Sequence, residues 1–175
     1  MGRMAVRRLL LLVLLGCAPI VHAQTQAPPA AVGESSFKTF LAEWESAQAR
    51  LLEGDAAQWK RMSSQGDDAT IMGAFGGYER GWKDVGPRYD WAAAQYRERK
   101  AVVKTEYLNV WVSGDMAFTV AIERQEEARA GGQSPLRREL RATQVFRREG
   151  GSWRLLHRHA DPLMEKRAPS APPQK

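Results

Sequence analysis

His157 and His159 are the side chains best suited to chemistry in this chain, and they stand two apart in the run Arg141 to Pro162, RATQVFRREGGSWRLLHRHADP. On a strand that spacing puts both imidazoles on one face, where they can hydrogen-bond a ligand, move protons near neutral pH or bind a metal. A metal needs more than this. Zinc sites use three or four protein ligands, whereas the only acid close in sequence is Asp161 and the single cysteine, Cys17, lies in a segment expected to be removed. No metal and no cofactor is therefore expected.

The run itself reads as a hairpin. Gly150-Gly151 suits a two-residue reversal with positive φ, and the flanking segments alternate with β-branched and aromatic residues. Counting outward pairs Glu149 with Ser152, Arg148 with Trp153, Phe146 with Leu155, Gln144 with His157 and Ala142 with His159 on one face. The other face pairs Arg147 with Arg154, Val145 with Leu156 and Thr143 with Arg158, and its like charges call for water or carboxylates. A one-residue bulge would exchange these assignments for half of the hairpin.

The pattern Arg141-x-Thr143-x-x-Phe146-Arg147-Arg148, followed by Gly151-x-Trp153-Arg154-x-x-His157-x-His159-x-Asp161, resembles the closing hairpin of SnoaL-like proteins in the nuclear transport factor 2 (NTF2) superfamily. It is also similar to the end of the calcium/calmodulin-dependent kinase association domain. The resemblance covers most of Phe37 to Leu163, including Gly76-Gly77-Tyr78-Glu79-Arg80-Gly81-Trp82. It implies an α+β, cone-shaped NTF2-like fold with N-terminal helices on a curved antiparallel sheet, an apolar pocket at the open end of the cone, and a homodimer built on the outer sheet face.

Length and composition agree with one domain: 175 residues, 43% of them hydrophobic. Met1 to Ala23 has Arg3, Arg7 and Arg8 ahead of the apolar run Leu9 to Leu15 and ends Val21-His22-Ala23, the pattern of a secretory signal. An exported, periplasmic or secreted protein is expected, with lipidation at Cys17, after Leu14-Leu15-Gly16, as the alternative and the only route to a membrane. Loss of the three leader arginines takes Lys+Arg from 26 to 23 against 20 Asp+Glu, so the net charge falls from +6 to +3. That modest charge argues against nucleic acid. Arginines 137, 138, 141, 147, 148, 154 and 158 are instead expected to meet Glu123, Glu126, Glu127 and Glu139 across a salt-bridged sheet face or a dimer seam.

The elements that must position the hairpin follow in order. Residues 24–36 read as a flexible spacer rich in Ala, Pro and Gln. Phe37 to Leu52 carries Phe37, Phe40, Leu41, Trp44, Ala47, Leu51 and Leu52 at helical spacing, with Ser35 or Ser36 as cap. Asp55 to Met62 predicts a short second helix that buries Trp59, and Ala69 to Phe75 a short strand ahead of glycines that fit neither a dinucleotide nor a P-loop pattern. Trp82 to Tyr96 predicts a third helix broken at Gly86-Pro87. Val102–Val112, Met116–Arg124, Leu136–Arg148 and Ser152–Ala160 follow as strands. The domain is placed at residues 37–164 and a disordered tail at 165–175.

Helices first and long strands afterwards indicate an α+β layer. The aromatic residues Trp44, Trp59, Trp82, Tyr89, Trp91, Tyr107 and Trp111 are candidates for core or pocket wall. His157, His159, Gln144, Arg141, Tyr107, Trp44, Trp59 and Trp82 form the expected ligand-binding set for a small apolar molecule. Two other readings stand beside it. One is an oligomerising assembly module like the kinase association domain. The other is a proton-transfer enzyme like ketosteroid isomerase, whose chemistry needs a carboxylate base and acidic donors; no catalytic residue is assigned, because no Tyr occurs on the first helix and Asp90 and Asp115 are expected on the surface.

Overall fold

The computed structural model describes residues 30–97, 101–128, 134–166 and 168. The leader with Cys17 and most of the expected tail lie outside the described residues. Helix α1 (Ala30–Leu52) starts earlier than expected, taking in residues 30–36 and placing both serines inside it. Ser36 has a different task from capping. Its hydroxyl donates to the Gly33 carbonyl (2.9 Å) and accepts from Arg148 Nη2 (3.0 Å) and Trp153 Nε1 (3.2 Å), which ties the helix to the hairpin. The buried stripe Phe37, Phe40, Trp44 seats on Phe146, with ring centroids 5.2, 5.4 and 5.6 Å away, and Phe37 also meets Trp153 at 5.0 Å. These edge-on aromatic contacts form the main core.

Helix α2 (Ala57–Arg61) opens with Asp55 Oδ1 accepting from the Ala57 N–H at 2.8 Å and buries Trp59 against Trp44, centroids 3.8 Å apart. Strands β1 (Thr70–Met72) and β2 (Glu79–Arg80) come next, then helix α3 (Trp82–Tyr96). The break expected at Gly86-Pro87 does not occur. Pro87 falls in the second turn, where its fixed φ suits the helix and one missing N–H removes a single bond to the Lys83 carbonyl. Gly86 lets the Trp82 ring lie close, since a Cβ there would stand 3.2 Å from Trp82 Cε2.

Strands β3 (Ala101–Ser113), β4 (Met116–Glu127), β5 (Leu136–Glu149) and β6 (Ser152–Pro162) complete a six-stranded, curved and unclosed sheet in the order β2-β1-β6-β5-β4-β3. All neighbours are antiparallel except β1 and β6. Two register shifts bend it: one in β3 between Tyr107 and Asn109, the other between Val145 and Phe146 of β5.

The second shift corrects the hairpin. Glu149–Ser152, Arg148–Trp153 and Phe146–Leu155 pair as expected, but Val145 then faces His157, Thr143 faces His159, Gln144 faces Arg158 and Ala142 faces Ala160. Leu156 is the extra residue. Beyond it Arg158 and Ala160 look inward and are buried, while His157 is half-buried and His159 exposed on the outer face. The reason lies on the neighbouring strand. Alternation along β4 sends Glu123 inward, and an unbulged β6 would leave that carboxylate buried without its cation.

The outer face is salt-bridged, but of the expected pairs on it only Arg137 with Glu126 forms; Arg141 pairs with Asp161, Arg147 with Asp68 and Glu149, and Glu139 is taken, with Glu106, by Arg124. The opposed Arg147 and Arg154 are separated in partnership, because Arg154 donates to the Arg61 carbonyl. His157 Nδ1 lies 2.8 Å from Thr70 Oγ1, and burial, with the charge of nearby His159, lowers its pKa. A proton therefore binds the unfolded chain more readily than the folded one. Stability from this group is present above the ordinary histidine range and is lost as pH falls through the lowered folded value. Melting temperature is expected to fall from about pH 7.5 to about pH 5.5 more steeply in the wild type than in His157→Gln, around the ordinary value of about 6.5. Equal slopes in the two proteins would show that His157 does not contribute.

Candidate functional site

The inner face of β4 reads Ala117, Thr119, Ala121, Glu123, Gln125, Glu127, all buried. The helices close over the end marked by the two alanines and Phe146, and the far end is where space remains. There a cavity of about 70 Å³ lies between Gln48, Leu51 and Leu52 of α1, Trp59 of α2, Ile71 of β1, Tyr89, Ala92 and Tyr96 of α3, and Gln125, Leu140 and Arg158 of the sheet. Gly73, Ala74 and Phe75, from the turn after β1, close it. An outer chamber of about 460 Å³ shares Ala74, Phe75, Tyr96, Gln125 and Leu140 with the cavity and is rimmed by Arg137, Arg138, Glu139, Pro162 and Leu163. Phe75 and Gln125 thus stand at the neck between the two spaces.

The neck is held by ring packing and one guanidinium. Phe75 meets Trp91 edge-on at 5.2 Å and Tyr96 at 5.8 Å. Arg88 stacks over Trp91 at 4.1 Å, donates to the Gly76 carbonyl at 2.9 Å and pairs with Glu79 at 3.2 Å. Gly76 and Gly77 have φ of +84° and +74°, so this turn needs the conformational freedom of glycine.

The floor is a buried ion pair. Arg158 Nη1 and Nη2 donate to the two oxygens of Glu123 at 2.7 and 2.8 Å, with Arg158 8% and Glu123 1% exposed. With the Gln144 amide oriented so that every group is paired, its oxygen accepts from Arg158 Nη1 (2.7 Å) and Trp44 Nε1 (3.3 Å), and its nitrogen donates to Thr119 Oγ1 (3.2 Å). Burial acts to lower the Arg158 pKa, but the Glu123 carboxylate outweighs it and the net shift is upward. Burial pushes the phenols of Tyr89, Tyr96 and Tyr107 up, and at Tyr107 the Glu45 carboxylate adds to the effect. These tyrosines are neutral hydrogen-bonding groups at any physiological pH.

The expected binding residues divide. Trp59 lines the cavity, and Gln144 supports its floor from beneath. Trp44 is core, and Tyr107 is half-buried at its edge beside Glu45. Trp82 faces a separate surface cleft with Lys60 and Asp90. Arg141 is exposed and paired with Asp161, and the two histidines lie across the sheet from the cavity. Arg158, Glu123, Gln125 and Tyr96 were not expected there. Their signal was present for the acid and amide, since Glu123, Gln125 and Glu127 share the period of Ala117 and Ala121. For Arg158 nothing in β6 alone marks the extra residue.

Removing one partner of the buried pair leaves the other charged and unpaired. Arg158→Met is expected to cost about 3–5 kcal/mol in urea unfolding, and Glu123→Leu a similar amount, while the double variant recovers most of the loss. A double variant as unstable as the sum of the two would show that the residues do not act together.

A search of curated proteins returned no match. Among solved structures the chain is similar to an NTF2-like superfamily protein from Salmonella enterica serovar Typhimurium LT2, at 14% identity and TM-score 0.63, over 81% of this chain and 98% of that one. It is similar to an NTF2-like protein of unknown function from Pseudomonas putida KT2440, at 20% identity and TM-score 0.63, over 82% and 98%. It also resembles the association domain of C. elegans CaMKII, at 16% identity and TM-score 0.58, over 74% and 98%. At such identities these likenesses establish the fold. The sequence profile of the SnoaL-like domain matches residues 37–165, covering the three helices, the sheet and the cavity between them, and the chain belongs to the SnoaL-like domain family.

Proposed function

We propose that this SnoaL-like protein is exported and binds a small, neutral, mainly apolar molecule in the space between its helices and sheet. The observation that carries the reading is the cavity with its outer chamber, apolar on the helix side and floored by polar groups already paired with one another. Such a site holds a ligand by its apolar surface and orients it with few polar contacts. Export rests on the leader pattern of Met1 to Ala23. Binding is favoured over proton transfer by the state of Glu123. Both of its oxygens accept from Arg158, so taking a proton from a bound molecule would leave the buried guanidinium without its anion.

A second reading, assembly through the outer sheet face, has its own observation. Leu108 and Trp111 are 58% and 47% exposed, Met116 is exposed nearby, and Trp111 stacks on Phe118 at 5.5 Å. A face of this kind suits a second copy of the chain, and the likeness to an association domain supports it. The two readings are compatible, since they use opposite faces of one sheet.

Indole is expected to raise the melting temperature of the wild type by a few degrees. Ala92→Leu, which fills the cavity from α3, should abolish that rise, whereas His159→Ala should leave it intact. Equal responses in the wild type and Ala92→Leu would place the binding elsewhere. For assembly, light scattering is expected to give a dimer mass that Trp111→Glu halves, and a monomer mass at every concentration would end that reading.

A further inference from the structure

The geometry points to a ligand that is a neutral hydrogen-bond donor of the phenol or alcohol class, with its hydroxyl ending on Gln125 Oε1. This inference rests on the reading of the cavity as a binding site. Gln125 is 4% exposed and lines both the inner cavity and the outer chamber, and its Oε1 is buried without a hydrogen-bond partner among the described residues. A buried acceptor left open is costly and calls for a partner that the protein does not itself supply.

Of the other polar groups at the cavity wall, the Trp59 indole N–H is a second buried group without a hydrogen-bond partner among the described residues. It is a donor that can meet a hydroxyl oxygen, and the rest are committed. Arg158 is held by Glu123 and Gln144, Gln48 Oε1 accepts from Thr105 Oγ1 at 3.3 Å, and Arg138, which faces Gln125 across the β4–β5 pairing, binds Glu127 at 2.8 Å. The same pairing fixes the charge of the guest. Each cation at the wall already has its carboxylate, so an anion meets no free positive charge and an ammonium no free negative one.

Size sets the orientation. About 70 Å³ admits a small polar head or part of a ring, and about 460 Å³ outside it takes the apolar body. Phe75 and Tyr96 at the neck offer ring faces and edges to an aromatic body placed between the two spaces.

Calorimetric titration with four matched probes tests this: para-cresol, para-xylene, para-methylanisole and para-toluate. Para-cresol is expected to bind roughly tenfold more tightly than para-xylene, because one hydroxyl replaces one methyl. Para-methylanisole, whose oxygen can accept from Trp59 but which cannot donate to Gln125, should fall short of para-cresol, and para-toluate should bind more weakly than either. Gln125→Leu, of similar shape without the acceptor, should bind para-cresol and para-xylene alike. Equal binding of para-cresol and para-xylene by the wild type would overturn the donor assignment while leaving the cavity as a binding site. The assignment also falls if para-methylanisole matches para-cresol, or if Gln125→Leu keeps the preference. Failure of all four probes would overturn the binding reading as well.

Discussion

A carboxylate and a guanidinium with almost no access to water, Glu123 and Arg158, set the constraint that the sheet has to meet. Either ion alone would be intolerable at that depth, and together they require good geometry and satisfied neighbours. Gln144 and Thr119 complete the network on adjacent strands, and the Trp44 indole carries it into α1. The bulge at Leu156 belongs to the same solution, since it turns Arg158 toward Glu123 and the two histidines away.

Packing and polarity divide the interior between two ends. At one end Phe37, Phe40, Trp44, Phe146 and Trp153 interlock through ring contacts, and the two indole N–H groups are met by Ser36 and Gln144. At the other end Glu123, Gln125, Glu127 and Arg158, long and polar, share the inner face with the small apolar cluster of Leu140, Ala142 and Ala160, and they do not fill space as rings do. The cavity sits over this second end because paired charges hold their shape instead of collapsing onto the helices. The aromatic end holds the helices to the sheet, and the polar end lines the cavity.

The fold was legible because its signals are local and repeated. The three- and four-residue spacing from Phe37 to Leu52, the alternation from Met116 onward and Gly150-Gly151 each specify an element without help from the rest of the chain. The site was less legible. Counting outward from the turn is correct as far as Leu155, and one extra residue then exchanges every later side chain between the faces. His157 and His159 drew attention because histidine is chemically versatile, while the arginine between them does the structural work at the cavity floor. A reading that balanced inward charges across β4 and β6 would have asked which cation answers Glu123. Pro87 shows the opposite limit, since a residue that usually ends a helix is tolerated near its start.

The parallel seam between β1 and β6 joins the first strand of the sheet to its last. Thr70 and His157 sit side by side although 87 positions separate them along the chain, and Ser64 binds the Leu155 carbonyl from the same region. Closing so large a loop is slow compared with forming the adjacent hairpins. β1 emerges with only the two-residue β2 to pair with, and its other edge stays open until β6 arrives. The domain consequently reaches its folded form only after β6 has joined β1, so its completion waits on the contact of longest range in the sheet.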